Sequence, residues 1–241
     1  MKSTKGKLYG IGVGVGDPEN ITLKAIKVLR DIDVIVLPEA KTGEGSTAFD
    51  IVKEYIKEDV EQIFLEFPMI KELETRKIFR KNNADIIKNE LEKGKNVAFL
   101  TIGDPMTYST YNYVLEYLDK DTIVETVAGI NSFNSIAARL NIPLVIGDED
   151  LKVISVNKNT DFHKEIENND NLVFMKISRS FDKIKKAILE TGNKDNLIIV
   201  SDCGKDTEKV YTDIEKMEEV PYFSTLILKK NGIEKFRKFI K

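Results

Sequence analysis

The residues best placed to do chemistry lie in Val97-Ala98-Phe99-Leu100-Thr101-Ile102-Gly103-Asp104-Pro105-Met106-Thr107-Tyr108-Ser109-Thr110. The apolar run reads as a buried strand that stops abruptly at Gly-Asp-Pro, ahead of hydroxyl-bearing residues and a new helical pattern. Such a junction sets backbone N–H and C=O groups at the carboxyl edge of a sheet, where open α/β folds bind ligands. The Asp104 carboxylate can accept hydrogen bonds from a ligand amine or ribose hydroxyl, or it can cap the turn that follows. Tyr108, Ser109 and Thr110 are either ligand contacts or helix-start residues. A second Gly-Asp-Pro, Gly16-Asp17-Pro18, also follows an apolar run.

That second turn belongs to a glycine-rich stretch, Gly10 to Gly16, which fits no phosphate-binding pattern. A dinucleotide fingerprint needs Gly-x-Gly-x-x-Gly; counted from Gly10 its last position is Val15, and from Gly12 it is Asp17. No Gly-Lys-Ser/Thr follows, and an aspartate where a pyrophosphate would sit is unfavourable for an anion. The stretch is either a tight strand-to-helix turn or bare backbone that leaves room for a bulky ligand. Elsewhere the chemistry is sparse. His163 reads as a surface histidine in a polar stretch, Cys203 as a small buried thiol, and Met175 as core more readily than ligand contact. The charges of Lys71–Lys95 read as a solvated helix face.

The 241 residues suffice for one large or two modest domains, and apolar (41%) and charged (32%) fractions are those of a globular protein. Lys+Arg 37 against Asp+Glu 40 gives a net charge of -3, which argues against a general nucleic-acid binder. One cysteine and one histidine exclude an intrachain disulfide and a His/Cys zinc cluster, and suit a reducing cytoplasm. No segment approaches the roughly 20 apolar residues of a membrane span. The basic opening, Met1 to Lys7, leads into residues too glycine-rich and too soon acidic for a signal peptide.

The elements that must position these residues alternate. Strands are expected at Leu8 to Gly16 (running into the glycine turn), Val34–Pro38, Gln62–Phe67, Val97–Ile102 and Thr122–Val127. Helices are expected at Glu19–Arg30, from a capping box at Thr47-Ala48-Phe49-Asp50 through Ile56, at Lys71–Lys93 with Gly94 as cap, and at Tyr111–Leu118. A short helix, Ser132–Leu140, and a connection, Pro143–Asp150, follow. Strands near Val153–Val156, Leu172–Ile177, Asn196–Ser201, Lys209–Thr212 and Ser224–Leu228 then alternate with some helices, notably Phe181–Glu190. The alternation predicts an α/β fold with a mainly parallel first sheet, and the close succession of the last strands predicts a partly antiparallel second one. The division expected is an N-terminal α/β domain, 1–125, and a C-terminal α/β domain, 126–241.

The segment Gly12-Val13-Gly14-Val15-Gly16-Asp17-Pro18-Glu19-Asn20-Ile21-Thr22-Leu23-Lys24-Ala25 resembles the opening signature of the tetrapyrrole methylases, with Val15 where the family usually has proline. Gly103-Asp104-Pro105 resembles the family's second motif. Val127-Ala128-Gly129-Ile130-Asn131-Ser132 resembles its third, with Ala128 in place of a proline. Within the family, Pro38-Glu39-Ala40-Lys41, Phe67-Pro68-Met69, Tyr108-Ser109-Thr110, Ile130-Asn131-Ser132-Phe133 and Ile142-Pro143-Leu144 resemble the C20-methyltransferases that act on precorrin-2 or cobalt-factor II in cobalamin synthesis.

The resemblance implies a two-domain α/β fold with its active site in the cleft between the domains, S-adenosylmethionine as methyl donor, a tetrapyrrole substrate and a homodimer. Carried over by position, it implies cofactor contacts from Pro38, Ile102, Gly103, Asp104, Met106, Tyr108, Ser132, Phe133, Met175 and Gly204. Methyl transfer to an electron-rich meso carbon is an in-line displacement in which the substrate supplies the nucleophile, so the protein's task is chiefly positioning. No catalytic residue is assigned; Tyr108, Glu39 and Asp104 are candidates to accept the meso proton. Lys41, Lys176 and Arg139 are candidates to meet the substrate's carboxylates. The alternatives are a methylase of this fold with another target, and a nucleotide-dependent oxidoreductase or non-catalytic binding module, against which the glycine spacing argues.

Overall fold

The structure is a computed structural model that describes residues 5–40, 43 and 45–240. Lys41, one of the basic candidates, lies outside the described residues. The chain divides into two compact units, Met1–Asn131 and Ser132–Lys241.

The first unit is built on five strands: β1 (Leu8–Gly12), β2 (Val34–Glu39), β3 (Glu61–Glu66), β4 (Val97–Thr101) and β5 (Val124–Val127). They lie in the order β3-β2-β4-β1-β5. Every pairing is parallel. Four helices connect them: α1 (Leu23–Leu29), α2 (Thr47–Val52), α3 (Leu73–Glu92) and α4 (Tyr111–Leu115). One face packs Ile11, Ile35, Leu37, Ala98 and Leu100 against Ala25, Leu29, Ile51 and Val52 of α1 and α2. The other packs Leu8, Val34, Val36, Val97 and Phe99 against Ala84, Ile87, Leu91, Tyr111 and Val114 of α3 and α4. Burial on both faces explains why β4 is apolar at successive positions, as a central parallel strand must be.

Helix boundaries depart from the sequence expectation for local reasons. The stretch expected as one helix from Glu19 is a 3-10 turn, Pro18–Asn20, followed by α1. Ile21 and Thr22 are extended, and the Thr22 hydroxyl accepts the Ala25 N–H at 3.2 Å. The cap of α2 is Ser46, one residue before the expected box; its Oγ accepts the Phe49 N–H at 3.3 Å, and the helix stops at Val52. Helix α4 ends at Leu115, three residues before the expected Leu118.

The second unit carries β6 (Leu151–Ser155), β7 (Asn171–Met175), β8 (Leu197–Ser201), β9 (Lys209–Tyr211) and β10 (Ser224–Lys229) in the order β6-β7-β10-β8-β9. Only β6 and β7 pair in parallel; β10 runs antiparallel to both β7 and β8. Its helices are α5 (Ser132–Leu140), α6 (Phe162–Asn168) and α7 (Phe181–Glu190). Helix α6 lies in the stretch read as merely polar. Asp161 caps it through the Lys164 N–H at 3.2 Å, and Phe162 and Ile166 bury one face. The expected strand through Ile177 stops at Met175 because Lys176 turns left-handed, at φ 60°. At the end of β10 the fully buried Lys229 pairs with Glu149 and donates to Asn171 Oδ1 at 3.0 Å. Glu149 Oε2 also accepts the Ile146 N–H at 2.9 Å, which fastens the 143–150 connection to the sheet. Among the described residues no helix is long and apolar enough to cross a membrane.

Candidate active site

Adjacent strands β1 and β4 send their chains to opposite sides of the sheet, β1 past β4 to β2 and β4 past β1 to β5. Their carboxyl ends therefore mark a topological switch point, where ligands bind in such sheets. The glycines are required here by close approach. A Cβ on Gly129 would stand 2.1 Å from the Gly103 carbonyl oxygen and 2.7 Å from the Gly12 Cα, so the segments after β1, β4 and β5 meet backbone to backbone. The Val13 N–H donates to Thr101 O at 2.9 Å and the Gly103 N–H to Gly14 O at 2.8 Å, which zips the first two together.

Asp104 joins the third. Its Oδ2 accepts the Gly129 N–H at 3.0 Å, and its Oδ1 accepts the Met106 N–H at 2.9 Å and the Thr107 hydroxyl at 3.4 Å. The carboxylate is thus both a turn cap and a clamp across 25 residues of chain. Three of its about four acceptor positions are occupied, leaving one for a ligand. Of the run after it, Tyr108 is exposed and left-handed (φ 52°). Ser109 faces inward, its Oγ 3.1 Å from Thr101 Oγ1 and accepting the Tyr111 N–H at 3.1 Å. Met106 is exposed and Ile102 half-buried. Pro38 lies near the end of β2, and the next residue, Glu39, is buried. The Glu39 carboxylate accepts the Gly43 and Gly45 N–H groups at 3.0 and 3.1 Å, a loop-holding role.

In the second unit the expected residues gather at one end of the sheet. Ser132 Oγ, at the start of α5, lies 3.2 Å from Thr225 Oγ1, and Thr225 is the register partner of Met175. Phe133 is buried beside Ser132, and Met175 is half-buried. The Gly204 N–H donates to Glu208 at 2.6 Å, and Glu208 in turn holds Arg139 of α5 at 3.0 Å. Arg139 therefore already has a carboxylate partner. Lys176 is exposed, and partial desolvation of its ammonium lowers its pKa. Thr225 was outside the sequence expectation; a hydroxyl near the start of an apolar strand was its signal. His163 is exposed and bonds Glu190 at 2.7 Å. Burial pushes the Cys203 thiol up to about 11.

A family model described as Tetrapyrrole (Corrin/Porphyrin) Methylases matches residues 7–218. The chain belongs to this family. It is 38% identical over 234 residues to the "Probable cobalt-precorrin-2 C(20)-methyltransferase" of Methanocaldococcus jannaschii, covering 93% of this chain and 96% of that protein. It is 31% identical over 229 residues to the cobalt-precorrin-2 C(20)-methyltransferase of Salmonella typhimurium, covering 93% and 97%. The uroporphyrin-III C-methyl transferase of Thermus thermophilus, solved with S-adenyl homocysteine, has the same fold. Its TM-score is 0.69 at 20% identity, over 93% of this chain and 92% of that one. The two-unit α/β fold expected from the resemblance is thus that of the methylases.

Proposed function

We propose that this tetrapyrrole methylase transfers a methyl group from S-adenosylmethionine to C20 of a precorrin-2-type tetrapyrrole in cobalamin synthesis. The observation that carries the reading is the full-length similarity to two relatives that both bear the cobalt-precorrin-2 C(20)-methyltransferase name. The same names favour the cobalt-loaded substrate over the metal-free one.

The chain's own groups suit that donor. S-adenosylmethionine has an ammonium and ribose hydroxyls that need acceptors, and an adenine that needs an apolar wall. The free acceptor position of Asp104 and the backbone carbonyls beside it supply the first; Phe133 and half-buried Met175 suit the second. Pro38, Ile102, Gly103, Met106, Tyr108, Ser132 and Gly204 complete the proposed cofactor contacts. When bound, the cofactor supplies an electrophilic methyl. The protein holds the substrate carbon in line with it and keeps water out, and such orientation is worth up to about 7–11 kcal/mol of barrier. Of the three proton-acceptor candidates Glu39 is buried and Tyr108 is the most exposed. The reading extends, through the family resemblance, to a homodimer working in the cytoplasm.

The test is turnover. Purified protein is mixed with S-adenosylmethionine and either cobalt-factor II or metal-free precorrin-2, and product mass and S-adenosylhomocysteine are followed. One added methyl, faster on the cobalt substrate, is expected. Cofactor binding without turnover on either would reopen the target, and sedimentation at monomer mass would remove the dimer.

A further inference from the structure

We propose that Arg76 and Arg80 form a carboxylate-binding pair for the acidic side chains of the tetrapyrrole, an assignment that rests on the methylase reading above. The two residues are four apart on α3 and share a face. The side-chain amide of Asn83 donates to Glu66 O at 2.8 Å, which pins α3 against the last residue of β3. At about 1.5 Å per residue, Arg80 lies about 4.5 Å and Arg76 about 10 Å further along the helix from that contact, toward the carboxyl edge of the sheet. The Arg80 guanidinium lies over the Tyr113 ring of α4, 3.4 Å from its centroid. Tyr113 follows directly on the loop of Asp104 to Thr110.

Their neighbours show what is unusual. On the same helix Lys77 pairs with Glu74 at 2.8 Å, Lys88 with Asp85 at 2.8 Å and Lys93 with Glu90 at 2.5 Å. Arg76 and Arg80 are half-buried, yet neither side chain forms an ion pair with a described residue. Arg76 Nε is buried with no hydrogen-bond partner at all. Half-burying a charged fork without an acid is unfavourable, and a cation near the start of a helix gains nothing from the dipole. A ligand carboxylate supplies the missing partner. Guanidinium donates to carboxylate in a planar, bidentate geometry, and a guanidinium over an aromatic face can still donate from its edge. Met69, Ile70 and Leu73, exposed in the segment that opens α3, add apolar surface suited to the rest of a wide, flat, polyacidic ring.

The experiment compares the full-length wild type with R76Q, R80Q and R80K on cobalt-factor II, and titrates each with S-adenosylhomocysteine. Loss of one charged, bidentate contact should raise KM for the tetrapyrrole about 10- to 100-fold in each Gln variant, with kcat at saturation nearly unchanged. Affinity for S-adenosylhomocysteine and the melting temperature should stay at wild-type values. R80K keeps the charge without the fork and should not restore KM; it also serves should R80Q fail to fold. Wild-type KM in both Gln variants, or full rescue in R80K, would overturn the assignment. A wild type inactive on every precorrin-2-type substrate would overturn the methylase reading and this inference with it, an outcome distinct from an active enzyme indifferent to the arginines.

Discussion

Replacing Asp104 with alanine tests whether this residue holds the fold of the site together. The carboxylate accepts two backbone N–H groups, from Met106 at 2.9 Å and Gly129 at 3.0 Å. Gly129 is half-buried, and an unsatisfied N–H there costs about 1–3 kcal/mol. The Met106 N–H is exposed and can turn to water, so its loss costs about 0.5–1.5 kcal/mol. The sum, about 1.5–4.5 kcal/mol, lowers the melting temperature of a chain this long by roughly 3–18 °C. Asp104→Asn retains one acceptor oxygen but turns its amide toward the other N–H, and should fall between. Circular dichroism gives the melting temperature, and amide exchange at Gly129 gives the local opening. A D104A protein that melts with the wild type, or one whose Gly129 amide exchanges at the wild-type rate, would refute the clamp.

Three further outcomes are expected. Glu125, bonded by Lys24 and Lys7, has its pKa lowered from 4.5 to about 2. Because the folded value is the lower one, its stabilisation is complete above the unfolded pKa and disappears as the pH falls through about 2. Wild type and Glu125→Gln should therefore melt apart at pH 6 and converge in strong acid; a constant gap would sink the account. Lys229→Met removes the buried partner of half-buried Glu149 and of buried Asn171, and its melting temperature should fall far more than that of Lys216→Met, whose side chain is 84% exposed. Equal effects in thermal melts would contradict the buried pair. The Cys203 thiol, raised to about 11 and buried, should react slowly with a disulfide reagent at pH 8 and quickly in urea. Rapid reaction of the folded protein would contradict its burial.

What the sequence made legible follows from the range of the interactions involved. The β4 run and the Gly103-Asp104-Pro105 turn were readable because a doubly buried strand and a turn leave a local mark. The partly antiparallel second sheet was readable from strand spacing, although the central place of β10, last of the strands in sequence, was not. Helix α6 was hidden because only Phe162 and Ile166 are apolar in its turns, so its Asp161 cap went unweighed. In the site, the cap that Asp104 places on the Met106 N–H is local and legible, but its bond to Gly129 reaches 25 residues along the chain and is not. Arg76 and Arg80 passed as part of a solvated face because lysine and arginine look alike in a charge pattern. Only the packed structure shows that Lys77, Lys88 and Lys93 find acids, whereas Arg80 finds an aromatic ring and Arg76 finds neither among the described residues.

The backbone zipper at the switch point also sets a charge preference. In nucleotide-binding folds the glycine turn presents free N–H groups to phosphate. Here the N–H groups of Val13, Gly103 and Gly129 are already donated to Thr101 O, Gly14 O and Asp104. Around them the turn offers a carboxylate and carbonyl oxygens. A carboxylate and carbonyl oxygens suit a positively charged group better than a pyrophosphate. Under the proposed reading, those oxygens are the acceptors that the ammonium and the sulfonium of the methyl donor would meet.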